Sequence, residues 1–274
     1  MFRPVKRTSS PLVAAFEMCE LLYHSTVRNL RGSRSNAVVG LMMVLMQNII
    51  MIAMFAIMME LVGLKRIKIH GDYILYVKSG VMMFMTHVRA LGAVAGADAP
   101  TSPVMIHPRM NPIIAIVSAA LGVLYSQMLS IIVILTLYHA LINPIEILNM
   151  PGALGMLIMS WASGAGIGLL FYSAKPWNPD VVQILTMIYM RLNMIASGKM
   201  MPANMAKSSM RQWFEWNPLY HTIDQTRGYI FLNYDPRYTS LSYPLYCLIG
   251  CIVIGLMAQF FTRIYASASW SARR

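Results

Sequence analysis

Acidic side chains are scarce in this sequence: 10 Asp and Glu stand against 22 Lys and Arg in 274 residues, and only 12% of the chain is charged while 57% is hydrophobic. A water-soluble domain is nearer a quarter charged and half apolar. A chain this poor in charge excludes an ordinary cytoplasmic enzyme and needs lipid as part of its solvent. The mean hydropathy of +0.56 agrees. Cysteine is nearly absent. Cys19, Cys247 and Cys251 are an odd number without metal-ligand spacing, and the last two lie four residues apart in an apolar run, where they read as helix packing. Phosphate loops, HExxH pairs, GxSxG elbows and helix-turn-helix or RNA-binding signatures are missing too, so there is no catalytic residue to name and no nucleic-acid partner to expect. The first 36 residues hold no apolar core ahead of a small-residue cleavage site, and no signal peptide is expected.

Positive charge and methionine are what the sequence has in excess. A net charge of +12 would suggest nucleic acid in a polar chain. In a lipid-embedded chain it reads as a cytoplasmic charge bias and attraction to anionic headgroups. The 26 methionines raise the question of copper, since Met42, Met43 and Met46, or Met82, Met83 and Met85, could offer thioethers to Cu(I). These clusters lie inside long apolar runs, where flexible gap-filling is the better reading, and no metal site is expected.

Periodicity predicts an all-α integral membrane protein: six transmembrane helices, an amphipathic interfacial helix at the N-terminal end, and a broken, re-entrant segment between helices five and six. Residues 1–36 form a cytoplasmic amphipathic segment, 37–264 the transmembrane domain and 265–274 a cytoplasmic basic tail. Within the first, residues 11–31 carry Leu12, Phe16, Cys19, Tyr23, Val27 and Leu30 at spacings of three and four, beside a stripe of Glu17, Glu20, His24, Arg28 and Arg31. Such a helix lies in a membrane surface or against a partner.

Spans are expected at residues 37–62, 73–97, 112–141, 153–172 and 243–264. Gln47 and Asn48 interrupt the first and should face other helices. Lys78, His87 and Arg89 interrupt the second, at about 2.5–3.5 kcal/mol for each charge at a helix centre, so they sit near the ends or face protein. Ala162, Gly164, Ala165, Gly166 and Gly168 in the fourth permit close helix approach. Residues 181–195 reach only about 22 Å as a helix, short of a bilayer core. Charged and aromatic residues follow to position 240, which fits a short span and segments that dip back into the outer leaflet. Arg3, Lys6, Arg7, Arg28, Arg31 and Arg34 at one end, and Arg263, Arg273 and Arg274 at the other, place both termini in the cytoplasm, although Lys65, Arg66 and Lys68 in a short outer loop oppose this.

The segment SGKMMPANMAKSSMRQWFEWNPLYHTIDQTRGYIF, residues 197–231, carries Ser197, Gly198, Pro202, Arg211, Trp216, Asn217, Pro218, His221, Asp224 and Arg227 in an order that resembles the region before the last span of type-2 ABC exporter permeases, particularly those of polysaccharide, capsule or O-antigen export. The resemblance extends over the layout of almost the whole chain. It implies a permease subunit in a bacterial inner membrane, a second copy forming a homodimer, and an ABC ATPase as partner. This chain would bind no cofactor, ATP and Mg residing on that ATPase. Membrane lipid and periplasmic or outer-membrane export proteins are further partners, and the substrate is a glycan. The resemblance also assigns contact with the ATPase to the first helix (Phe16, Glu17, Glu20, Tyr23) and to the proline-rich loop at 97–111 (His107, Pro108, Arg109).

From the residues themselves, Asn217 and Pro218 break the chain and start a helix on which His221, Asp224 and Arg227 lie within reach of one another, with Asp224 and Arg227 able to pair. This cluster either braces the broken helices or serves transport. Trp213, Trp216, Tyr220, Tyr229 and Tyr234 form either an aromatic ledge for sugar rings or an interfacial belt. Lys78, His87 and Arg89 line a path for an anionic cargo or snorkel to the helix ends. Export of a drug or lipid by the same architecture, and a metal channel or membrane enzyme built on the Met-rich spans, stand as alternatives.

Overall fold

The computed structural model describes residues 11–31, 37–61, 73–97 and 112–271, and every regular element among them is helical. In chain order these are α1 (Pro11–Arg31), α2 (Ala37–Leu61), α3 (Tyr73–Ala95), α4 (Pro112–Leu141), α5 (Met150–Ala174), α6 (Pro179–Ala196), a 3-10 turn at Ala203–Met205, α7 (Ser208–Phe214), α8 (Pro218–Ile230) and α9 (Ser242–Ser271). Three starts share one device: Asn149, Asn178 and Asn217 each accept from a backbone N–H in the first turn, at 2.9, 3.1 and 3.0 Å, and a proline follows within two residues. The side-chain oxygen satisfies a donor that has no intrahelical partner, and proline loses nothing there.

Four helices are long and apolar enough to cross a membrane: Val38–Leu61, Pro112–Leu141, Met150–Ala174 and Ser242–Thr262. The chain is therefore a membrane protein by these four, where sequence periodicity predicts six spans. Helix α3 fails on polarity, since Lys78, His87 and Arg89 lower its hydropathy. Helix α6 is 18 residues, about 27 Å, and carries Asp180 and Arg191. Helix α9 continues past Arg263 to Ser271, so most of the expected tail prolongs the last helix.

The six long helices α2 to α6 and α9 alternate in direction between two ends of a bundle. One end is marked by α1, which packs on the start of α4 through Asn29 Nδ2 donating to Ser118 Oγ at 3.0 Å. The ends of α3, α5 and α9 gather there too: Lys175 reaches the Ala95 carbonyl at 3.5 Å, and Thr262 donates to the Ser173 carbonyl at 3.1 Å. The other end is marked by α8, whose Tyr229 carbonyl accepts from Asn149 N–H at 2.9 Å just before α5 begins.

Helix α3 is the centre. Every residue from Leu75 to His87 is buried, with α2, α4, α5 and α8 packed around it. A helix buried on all sides can carry polar groups only if its neighbours receive them. The crossing with α5 is close because Gly164 and Gly168 face it. A Cβ at Gly164 would overlap the His87 carbonyl, and one at Gly168 would lie 2.7 Å from the Leu91 carbonyl. Gly166 faces α9 instead, against Leu248. The small-residue run of α5 thus serves two neighbours.

Helix α1 forms over the expected residues, but with a different face inward. Ser25 and Thr26 turn toward the bundle, while Phe16 is 76% exposed, and Leu12 and Tyr23 are exposed with it. Of the apolar stripe read from periodicity, Leu12, Phe16, Cys19 and Tyr23 are left uncovered while Val27 and Leu30 are partly covered, because α4 offers the small surfaces of Ser118 and Gly122 to the polar side of α1.

Candidate functional site

Lys78, His87 and Arg89 of α3 divide between two faces. Lys78 and Arg89 are eleven residues apart, three helical turns, and share a face, while His87 lies half a turn away from Lys78. The Lys78 ammonium sits 2.7 Å from the centroid of the Tyr138 ring on α4. His87 is fully buried toward α5 and α6, its Nδ1 near the Ser160 carbonyl (3.2 Å) and Ser163 Oγ (3.1 Å), its Nε2 3.3 Å from the Tyr189 hydroxyl.

Arg89 enters a polar seam between α2, α3 and α4. Its Nη2 donates to Gln47 Oε1 at 2.9 Å. With the Gln127 amide turned so that its carbonyl faces the guanidinium, that oxygen accepts from Arg89 Nη1 at 2.9 Å and Nε at 3.3 Å, and the amide nitrogen faces Asn48. Asn48 in turn lies 2.7 Å from Ser130 Oγ. Asn48, Gln127 and Ser130 are buried, Arg89 is half-buried and Gln47 is exposed. The seam therefore opens at Gln47 onto the outer face of α2, among exposed Met43, Met46 and Ile50.

The broken segment forms the second cluster. After α6 the chain turns at Gly198, which has φ +68° and the ring of Tyr220 against it, so a side chain there would meet both backbone strain and the ring. It then passes through the 3-10 turn and α7 and returns as α8, most of whose residues are buried against α5 and α3. Asn217 caps α8 and also reaches back to the Ala196 carbonyl (3.1 Å) and Asn193 Oδ1 (2.8 Å), which ties the start of α8 to the end of α6.

Asp224 and Arg227 do not pair with each other. The Asp224 carboxylate accepts from the Ala203 N–H at 3.2 Å, the Tyr234 hydroxyl and the Thr239 hydroxyl at 2.9 Å. The Arg227 guanidinium, 0% exposed, donates to the Gly198 carbonyl at 2.9 Å and the Lys199 carbonyl at 2.6 Å, and lies 4.0 Å from the Tyr76 ring. His221 Nε2–H donates to the Glu215 carbonyl at 2.8 Å, and its Nδ1 accepts from Ser240 N–H at 3.0 Å. One nitrogen donates and the other accepts, so the ring is held neutral, and burial pushes its pKa below the usual value. Burial and the neighbouring Asp224 raise the Tyr234 phenol. His221, Asp224 and Arg227 thus hold four separate stretches around α8, a bracing arrangement in this conformation.

Lys199 lies in the same turn. It is 2% exposed, its Nζ is 3.4 Å from the Phe84 ring centroid and 4.3 Å from that of Phe55, and the nitrogen has no hydrogen-bond partner. Two desolvated rings stabilise an ammonium by about 2 kcal/mol each. Removing that ammonium from water costs several kcal/mol, and three donors without acceptors add to this, so desolvation wins. Burial lowers its pKa to about 7.

The expected aromatic ledge is reduced to two members. Trp213 and Trp216 are 81% and 82% exposed, whereas Tyr220 and Tyr234 are buried and Tyr229 is partly covered beside Gly152. Tyr220 packs on Gly198 and Phe214, so it belongs to the brace. Phe16, Glu17, Glu20 and Tyr23 of α1 all point outward. His107, Pro108 and Arg109 lie outside the described residues. Among the described residues, no group of three His, Cys, Asp or Glu could hold a metal.

Several site residues escape a sequence reading. A lone amide in an otherwise uncharged 30-residue helix is a signal for Gln127. Thr239 gives none, and Tyr234 reads only as one of the aromatic residues of its stretch, because both reach Asp224 from an irregular stretch without periodicity. No family model matches the sequence, and no curated protein is similar to it.

Proposed function

We propose that this chain is the membrane subunit of an ATP-driven exporter of the type-2 ABC kind, which dimerises, pairs with two ATPase chains and moves a polysaccharide or lipid-linked glycan across a bacterial inner membrane. The observation that carries the reading is the Arg89–Gln47 contact at 2.9 Å, which opens onto the apolar outer face of α2. A guanidinium and an amide facing hydrocarbon would cost about 2.5–3.5 kcal/mol for the charge alone. This face is instead satisfied by a second copy and a water-filled path between the two. A seam of amides, hydroxyl and guanidinium offers the donors and acceptors that a hydroxyl-rich chain needs.

The alternating helix directions support six passes, with α3 and α6 as the two polar ones. A polar helix is tolerated within a bundle when its neighbours receive its side chains, as α4, α5 and α6 receive those of α3. An even number of passes puts α1 and the end of α9 on one side, which positive charge at both termini assigns to the cytoplasm. The exposed stripe of α1 and the loop at 97–111 then face the ATPase, while α8, Trp213 and Trp216 face the outside.

Reconstitution tests this directly. In liposomes holding the chain and its candidate ATPase, hydrolysis should rise when the glycan is present, and deletion of the gene should leave polymer inside the cell. Unchanged hydrolysis together with normal surface glycan would refute the proposal. Normal glycan with hydrolysis stimulated by an amphiphilic drug or lipid would move the substrate and keep the architecture.

A further inference from the structure

Met210, Trp213 and Trp216 recur at every third residue along α7 and the turn that follows it, and all three are exposed. The opposite side of α7 faces protein. Arg211 stands two residues from Trp213, about 200° around a helix. Its guanidinium lies 3.5 Å from the Tyr238 ring centroid and 3.3 Å from the Glu215 carboxylate. Helix α7 thus has one partnered side and one on which, among the described residues, two indole rings are left uncovered.

Two contacts fix the height of these rings. The Trp216 carbonyl accepts from the Tyr243 hydroxyl at 3.0 Å, and Tyr243 is the second residue of the span Ser242–Thr262. The next residue, Asn217, donates to the carbonyl of Ala196, the last residue of α6, at 3.1 Å. Trp216 therefore stands where α6 ends and α9 begins, level with exposed Leu192 and Ile195 on the first and exposed Leu245 and Tyr246 on the second. A tryptophan at the end of a span meets the headgroup layer, where its ring leaves water while its N–H keeps a polar partner. Deeper in hydrocarbon the N–H would have none. The pair is also set apart from the polar seam. Arg89, Gln47 and Gln127 lie toward α2 and α4, whereas α6 packs on the face of α3 that carries His87.

We propose that Trp213 and Trp216 form a lipid-binding surface, inserted among the phospholipid headgroups at the level where α6 ends and α9 begins, and that this surface holds the broken segment at a fixed depth. The segment is then tied from two sides. Arg227 and Asp224 hold it to the bundle from within, through the carbonyls of Gly198 and Lys199 and the N–H of Ala203, and the indoles hold it from the lipid side. The inference rests on the ends of the spans and on neither the ATPase nor the substrate, so its failure leaves the transport proposal standing.

The experiment compares the tryptophan emission of the purified full chain with that of the double variant Trp213→Phe with Trp216→Phe, both in phosphatidylcholine nanodiscs. Trp161, Trp177 and Trp270 are common to the two proteins, so the difference reports the two indoles. That difference should lose most of its intensity to lipid brominated near the headgroup, less to lipid brominated near the chain end, and little to aqueous iodide. Difference emission open to iodide and untouched by brominated lipid would overturn the proposal. Shielding from both quenchers would do the same and place a second copy over the rings. Shielding from iodide that develops only when soluble glycan is added would also overturn it and make the pair a stacking ledge for sugar. Both side chains are exposed, so their replacement removes little packing. Should the double variant fail to accumulate, Trp213→Phe alone, read in the same way, decides.

Discussion

Asp224 and Arg227 stand three residues apart on α8, the spacing of an intrahelical ion pair, yet each turns its charge to a different segment: Asp224 to Ala203, Tyr234 and Thr239, Arg227 to the carbonyls of Gly198 and Lys199. Two opposite charges thus anchor both sides of the turn between α6 and α8.

Exchanging the two residues tests this arrangement. Were they a pair, the double substitution Asp224→Arg with Arg227→Asp would preserve it. Since each is matched to fixed partners, the swap should give little folded protein in fluorescence-detected size exclusion. Arg227→Ala leaves two carbonyls unsatisfied at about 1–3 kcal/mol each and should lower the melting temperature more than Asp224→Asn, which still accepts two hydrogen bonds.

The crossing of α3 and α5 yields a second test. Gly164→Leu places carbon into the His87 backbone and should cost about 3 kcal/mol or more, near the upper end for overpacking, because a carbonyl cannot rotate away. Gly250→Ala meets nothing within 4 Å and should leave stability within about 0.5 kcal/mol of wild type. Thermal unfolding in detergent followed by intrinsic fluorescence distinguishes the two.

If the seam serves a transport path, Arg89→Leu should leave a folded chain while lowering export by about tenfold or more, because an aliphatic side chain suits α2 and lipid but offers nothing to a polar cargo. Gln47→Leu should act in the same direction more weakly, since it removes a neutral donor and acceptor instead of a charge. Export measured at matched membrane abundance decides, and full activity in Arg89→Leu would remove the seam from the path.

His221 sets a pH dependence of stability. Its pKa is lowered in the folded chain by burial. The unfolded chain therefore takes up a proton near the ordinary value of about 6.5 while the folded ring stays neutral. Stability from this residue is complete above that value and declines as pH falls below it. The melting temperature should drop between about pH 7 and 5, and His221→Gln should flatten part of that slope. Equal slopes for the two proteins would show that Ser240 and Glu215 hold the ring without regard to its charge.

Much of the fold is legible in the residues themselves. Helix positions follow the apolar runs, because a chain in lipid must satisfy its own backbone and only helices do so locally. The breaks follow the asparagine and proline pairs, since capping is a matter of adjacent residues. The small side chains of α5 also announce close packing, although only the assembled bundle decides that Gly164 meets α3 and Gly166 meets α9. What the sequence could not determine are the relations between residues far apart in the chain. Periodicity marks Leu12, Phe16 and Tyr23 as one stripe of α1 but not whether the chain covers it, and spacing offers Asp224 to Arg227 although tertiary contacts supply both with other partners. Charge alone counts against α3 as a span, and only the tertiary structure, by surrounding it with Tyr138, Ser160, Ser163, Tyr189 and Gln47, makes a helix with two charged residues the centre of the bundle.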